Sequence, residues 1–229
     1  MQKKALLTTA IASMAAIPAV SNAELTANVG WVSDYIFRGI FQEDSSPFGG
    51  LDYAHESGLY AGIWGADVAG GLEYDLYFGY GGSFGDSGGF TIGYTGYFYT
   101  EDDQSEPTSF DDQYNEINLG ISFGIFSLDY AIGEADLFQP VATDYTFTTV
   151  TIAPEVGPYY SYNTYGDDAV GDFIEIGYGW SSMDLDFGVA FLYDLNAGES
   201  DSVFLDEGLT GFDDAALTFS ISKTFTLGE

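Results

Sequence analysis

Residues 25–41 read LTANVGWVSDYIFRGIF. Taken by parity, the odd positions are Leu25, Ala27, Val29, Trp31, Ser33, Tyr35, Phe37, Gly39 and Phe41, apolar or aromatic almost throughout. The even positions are Thr26, Asn28, Gly30, Val32, Asp34, Ile36, Arg38 and Ile40, and they include both charges of the stretch. A period of two sends successive side chains to opposite faces, so these 17 residues are expected to form one long β-strand. Strands of soluble domains run about 5–6 residues, whereas a tilted strand crossing a bilayer needs roughly 9–11. The stretch fits the second case. SSPFGG (45–50) then turns the chain, residues 51–56 bring it back, and Ser57-Gly58 makes a tight turn into residues 59–68. The expectation is the opening meander of a transmembrane barrel.

The alternation recurs along the chain, over residues 72–84, 90–100, 114–125, 126–133, 173–180, 183–193 and 215–225. Its cleanest instance sets Ile117, Leu119, Ile121, Phe123 and Ile125 against Glu116, Asn118, Gly120, Ser122 and Gly124. Residues 145–152 and 158–165 are β-rich but alternate poorly, and count as two further strands. The sum is an all-β, up-and-down antiparallel barrel of about twelve strands, an even number as bacterial outer-membrane barrels require, with ten or fourteen as alternatives. The connections beginning near residues 42, 69, 101, 134, 166 and 195 are mostly long or acidic; those near 57, 85, 124, 154 and 181 are short. Outer-membrane barrels keep short turns and both termini in the periplasm and longer loops outside, so the acidic loops are expected on the external rim.

SDYIFRGIFQ (33–42), followed by GGLDYAHESGLYAGIWGADV (49–68), resembles the N-terminal signature of the TorF-like family of outer-membrane porins. The likeness covers residues 33–68. It implies an outer-membrane β-barrel with a pore, and it carries no catalytic residues.

Composition agrees with that class. The chain has 229 residues, with 18 Tyr, 19 Phe, 30 Gly and 6 Pro, a bias that aromatic girdles and twisted strands would use. There is no cysteine, hence no disulfide framework, thiolate metal site or Cys nucleophile. Lys3-Lys4, the apolar run 5–19 and Ser21-Asn22-Ala23 have the order of a secretory signal peptide over residues 1–23, leaving 24–229 as a single barrel domain. Its removal would leave only Arg38 and Lys223 against all 36 acidic residues, a formal charge of −34. So little positive charge excludes nucleic-acid binding, which needs cations against phosphates. The acidity admits two explanations: a vestibule that attracts cations, or adaptation to a saline habitat where salt screens the repulsion.

The residues expected to line the lumen are Asp34, Arg38, Asp52, Glu73, Asp75, Glu116, Asp129, Glu175, Asp184 and Asp186. Arg38 is the only arginine, and a guanidinium in a lumen needs a carboxylate partner. Asp52 is the nearest in sequence on the next strand; Asp34 would lie roughly 13 Å along the same strand. Arg38 either tunes a constriction or braces the barrel as a structural ion pair. His55, Asp52 and Ser57 invite a hydrolase triad, but Asp52 and His55 have opposite parity and Ser57 does not lie in a G-x-S-x-G motif. The acidic runs 101–103, 111–112, 167–168 and 213–214 do not match a spaced calcium loop, so no metal or other cofactor is expected. Trp31, Trp64 and Trp180 suit interfacial belts. Inward Gly79, Gly81, Gly93, Gly120, Gly124, Gly177 and Gly188 favour an open interior, whereas inward Tyr77, Tyr97 and Tyr99 favour a filled one.

The functional expectation is therefore a porin, a passive channel for small solutes with a preference for cations. The alternative is a closed structural or surface-interaction barrel. Its partners would be outer-membrane lipid, small solutes or cations, and the assembly machinery, which would meet the aromatic last strand LTFSISKTF (217–225).

Overall fold

The computed structural model describes residues 23–69, 71–100, 114–135, 143–166, 171–196 and 215–227. All their regular structure is β. The wall begins with β1 (Glu24–Val32), leaves the barrel for a short hairpin of β2 (Asp34–Phe37) and β3 (Ile40–Asp44), and resumes with β4 (Pro47–Ala54). It continues through β5 (Leu59–Val68), β6 (Gly71–Phe84), β7 (Gly88–Tyr99), β8 (Tyr114–Phe123) and β9 (Phe126–Ala135). It ends with β10 (Thr143–Ile152), β11 (Tyr159–Tyr165), β12 (Phe173–Ser182), β13 (Leu185–Asp194) and β14 (Ala215–Leu227). Twelve of these fourteen strands form a closed antiparallel barrel in sequence order, with β1 paired to both β4 and β14; β2 and β3 pair only with each other. Closure removes the unpaired edges of an open sheet.

The turns at residues 55–58, 85–87, 124–125, 153–158 and 183–184 lie at the same end of the barrel as Glu24 and Leu227. The hairpin enters from the opposite end. Residues 1–22 of the expected leader and most of the expected external loops lie outside the described residues.

Parity sorts the wall as the alternation requires. Val29, Phe78, Ile92, Ile121 and Phe219 are each about half exposed on the outside, while Ala66, Ala190, Leu192 and Thr218 on neighbouring strands are buried inside. The poorly alternating strands at 145–165 are real: Tyr145, Phe147, Tyr159 and Tyr165 point inward and help make the core.

Four points differ from the sequence reading. The stretch 25–41 is not one strand. Its regular alternation ends at Val32, and Tyr35 and Phe37, expected outside, are buried in the core cluster. Trp64 is not in a belt: it faces the lumen, edge-on to Tyr35 at 5.9 Å, whereas Trp31 and Trp180 do face outward. Met183 and Asp184 form a turn with φ of 55° and 59°, ahead of a strand that starts at Leu185.

The fourth concerns the inward glycines. Gly79 and Gly177 do not open the bore, because tyrosines on the neighbouring strand lie across them. Tyr60 pairs directly with Gly79 and Tyr159 with Gly177; Tyr77 with Gly62 and Tyr145 with Gly133 repeat the arrangement. A Cβ on Gly177 would stand 2.2 Å from the Tyr159 ring. The ring cannot swing freely, since it is 6% exposed and its hydroxyl donates to Glu175. Gly177→Ala is therefore expected to destabilise the barrel by roughly 1–3 kcal/mol, as overpacking does. The check is a lower urea midpoint for loss of the fast-migrating folded band on unheated gels. An unchanged midpoint would mean the ring is not pinned.

Candidate functional site

The site is the hairpin and what it touches. At Ser33 the chain stops following the wall: its N–H donates to the Phe219 carbonyl at 2.8 Å, and its hydroxyl accepts from the Phe219 N–H at 2.9 Å. The return is held by Ser46, fully buried, whose hydroxyl donates to the Asp67 carbonyl at 2.7 Å. Between these points Phe37 pairs with Ile40 across a two-residue turn, with Arg38 at φ 52° and Gly39 at φ 85°. Two left-handed residues are what such a tight hairpin demands, and glycine supplies the second without penalty. Arg38 has no such freedom. A non-glycine residue held there costs on the order of 1–3 kcal/mol and persists where its surroundings fix it.

Its surroundings do. The guanidinium forks onto Glu116 of β8, Nη1 to Oε1 and Nη2 to Oε2, the latter at 2.7 Å. The Phe37 and Phe147 rings lie 4.9 and 4.7 Å from its central carbon. Planar bidentate pairing and contact with ring faces are what guanidinium does better than ammonium. Glu116, 1% exposed, also accepts from Asn118 Nδ2 at 2.8 Å, Tyr97 at 3.1 Å and Tyr145. The partner of Arg38 is thus Glu116, 78 residues away, and not Asp52.

Asp52 is instead held by Asn28 Nδ2 at 3.1 Å and by the Tyr77 hydroxyl. Glu73 accepts from Tyr35 of the hairpin at 2.6 Å. Asp75, two residues on, is equally buried. Glu175 accepts from Tyr159. Asp129 sits partly buried on β9, nearer the tight-turn end. Asp34 accepts from Ser33 Oγ at 2.6 Å at the hairpin root. Asp186 accepts from Ser181 at 2.6 Å beside the last tight turn, and Asp184 is exposed within that turn, off the lumen. The hairpin thus brings Arg38, Glu116, Glu73 and Asp75 into one region, while Asp129, Asp184 and Asp186 stand apart.

The sequence reading missed that tyrosines supply the donors for these carboxylates. The lumenal tyrosines 35, 77, 97, 145 and 159 each donate to an Asp or Glu. An inward tyrosine opposite a glycine was the available signal. His55 Nδ1 and Ser57 Oγ are 2.8 Å apart in their turn, and Asp52 points into the lumen away from them, so the triad is not assembled. The acidic runs at 101–103, 111–112, 167–168 and 213–214 lie outside the described residues.

A closed transmembrane-type barrel with an inward hairpin is the class these features define. Over residues 16–225 the sequence matches the family described as "Bacterial protein of unknown function (Gcw_chp)", and the chain belongs to that family. The match does not carry the TorF-like name. No curated protein matches the chain. Among solved structures it is similar to a variant of OccD1 (OprD), with a TM-score of 0.43 and 12% identity over 91% of this chain and 67% of that one. It is also similar to a triple mutant of the Rhodopseudomonas blastica porin, with a TM-score of 0.35 and 11% identity over 89% of this chain and 99% of that one. At such scores neither likeness bears on what this chain carries.

Proposed function

We propose that the protein is an outer-membrane channel of porin type, passing small solutes down their gradients, with the inward hairpin as its constriction and a preference for cations. One observation carries this reading: a closed wall with an apolar outside and an inside that holds carboxylates among aromatic rings, with one short hairpin among the described residues set into it. Half-exposed Val29, Phe78, Ile92, Ile121 and Phe219 would be an aggregation hazard in water and are at home against lipid. Only closed barrels and helices satisfy every backbone group in a bilayer. The short-turn end then belongs in the periplasm and the hairpin end outside. Residues 1–23 serve as the export signal in this reading, the last strand is what the assembly machinery engages, and the TorF-like resemblance is of the same kind.

A second reading, the closed barrel, is favoured by the complete burial of Tyr35 and by the mutual neutralisation of Arg38 and Glu116. Planar-bilayer recording of the refolded protein under a salt gradient separates the two. Discrete steps with a cation-directed reversal potential are expected. Steps without selectivity would keep the channel and remove the cation preference. Silence from protein whose folding is verified by gel mobility would leave the closed barrel.

A further inference from the structure

We propose that Glu73 and Asp75 of β6 form a binding site for one hard divalent cation of the calcium class, between the barrel wall and the inserted hairpin. The two-residue spacing puts both side chains on the lumenal face, roughly 7 Å apart along the strand. Each is 1% exposed. Glu73 Oε1 is occupied by Tyr35, but Glu73 Oε2 and Asp75 Oδ1 are buried without a hydrogen-bond partner. That sets them apart from Glu116 and Asp52, both of whose carboxylate oxygens accept hydrogen bonds.

The charge inventory leads to the same place. The charged groups facing Asp75 are the carboxylates of Glu73 and Glu116. Glu116 is matched by Arg38, and Lys223 stands over the Phe225 ring on the barrel's outer face. Among the described residues nothing positive is left for the pair. Two buried carboxyls with unpaired oxygens stay charged only beside a cation, an ion of charge two matches the pair, and oxygen-only donors select a hard one. Among the described residues no third Asp, Glu, His or Cys joins them in a protein-built cage. The ion therefore keeps water on its remaining positions and can exchange. Because Tyr35 is hydrogen-bonded to one of the two carboxylates, the ion ties the hairpin to the wall. The site does not depend on whether the barrel conducts.

The test uses refolded, chelator-treated protein in salt strong enough to screen diffuse binding to the acidic surface. Terbium serves as the probe, because its emission is sensitised by nearby tyrosine and reports a site beside Tyr35. A single saturable emission component displaced by calcium is expected. It should be lost in Asp75→Asn and in Glu73→Gln and kept in Asp184→Asn, where the acid is an exposed turn residue. If Asp75→Asn does not fold, Glu73→Gln and the wild-type unfolding midpoint in calcium against chelator decide instead, the midpoint being expected higher in calcium. Emission that never saturates, emission of equal strength in the folded variants, or a midpoint that responds to acid but not to calcium would overturn the proposal.

Discussion

Arg38→Met is expected to unseat the hairpin. The substitution leaves Glu116 buried against three neutral donors with its charge unmatched, and breaking a buried pair by removing one partner costs about 3–5 kcal/mol. It also keeps the left-handed turn position while removing the interaction that holds it there. The barrel's own ladder does not involve Arg38, so the loss should appear as a displaced hairpin before it appears as an unfolded wall. Two measurements follow it: the urea midpoint of the folded gel band should fall, and single-channel conductance should rise. Adding Glu116→Gln should recover most of the stability and none of the closure, because the orphaned charge is gone but the fork is not restored. Arg38→Lys should fall between, since an ammonium cannot pair at both oxygens in one plane. Wild-type conductance and stability in Arg38→Met would remove the hairpin from any account of passage.

The larger effect belongs to excision. Replacing residues 34–44 by Asn-Gly joins Ser33 to Ser45, which already hydrogen-bond across the hairpin root at 2.7 Å, through a two-residue turn of the kind that suits adjacent antiparallel strands. Every pairing of β1 with β4 and β14 survives. What disappears is Tyr35, Phe37, Arg38 and Ile40, the material that fills the bore beside Tyr97 and Phe147. A twelve-strand barrel lies between eight-strand barrels filled by side chains and the water-filled ones of 16–18 strands. The excised form should therefore conduct in steps well above those of the wild type, and lose rigidity for want of its inner packing. A folded excision variant with wild-type steps would place the constriction elsewhere.

Most of the wall was legible because its physics is local. A strand with one side toward lipid and one toward the lumen writes its period directly into the sequence, as Ile117 to Phe123 do. The hairpin was not, and the reason is specific. Ile36, Phe37, Ile40 and Phe41 are apolar on both parities, Phe37 and Ile40 in the core cluster and Ile36 packed against it. Summed into the neighbouring alternation they looked like more of it. The signal lay in Ile36 and Ile40 on a face otherwise polar, and in Arg38-Gly39 as a two-residue turn. The partner of Arg38 was out of reach for another reason: pairing across 78 residues is set by closure of the wall and leaves no trace in spacing. Asp52 was the nearest candidate on the next strand but had Tyr77 and Asn28 to hold it. The inward glycines misled because a missing side chain reads as space, whereas here Tyr60 and Tyr159 occupy it.

Ser33 has a bearing on the order of events in assembly. The residue that launches the hairpin also makes the two bonds to Phe219, 186 positions later, where the first and last wall strands meet. Contacts of such sequence separation form late, since the whole intervening chain must already be in place. Until that seam shuts, the hairpin's root is held only on its return side, by Ser46 on Asp67, and lacks the two bonds that fix its launching side. Final seating of the hairpin and sealing of the wall thus fall together, so a chain stalled before closure is open-edged and only half anchored at its plug.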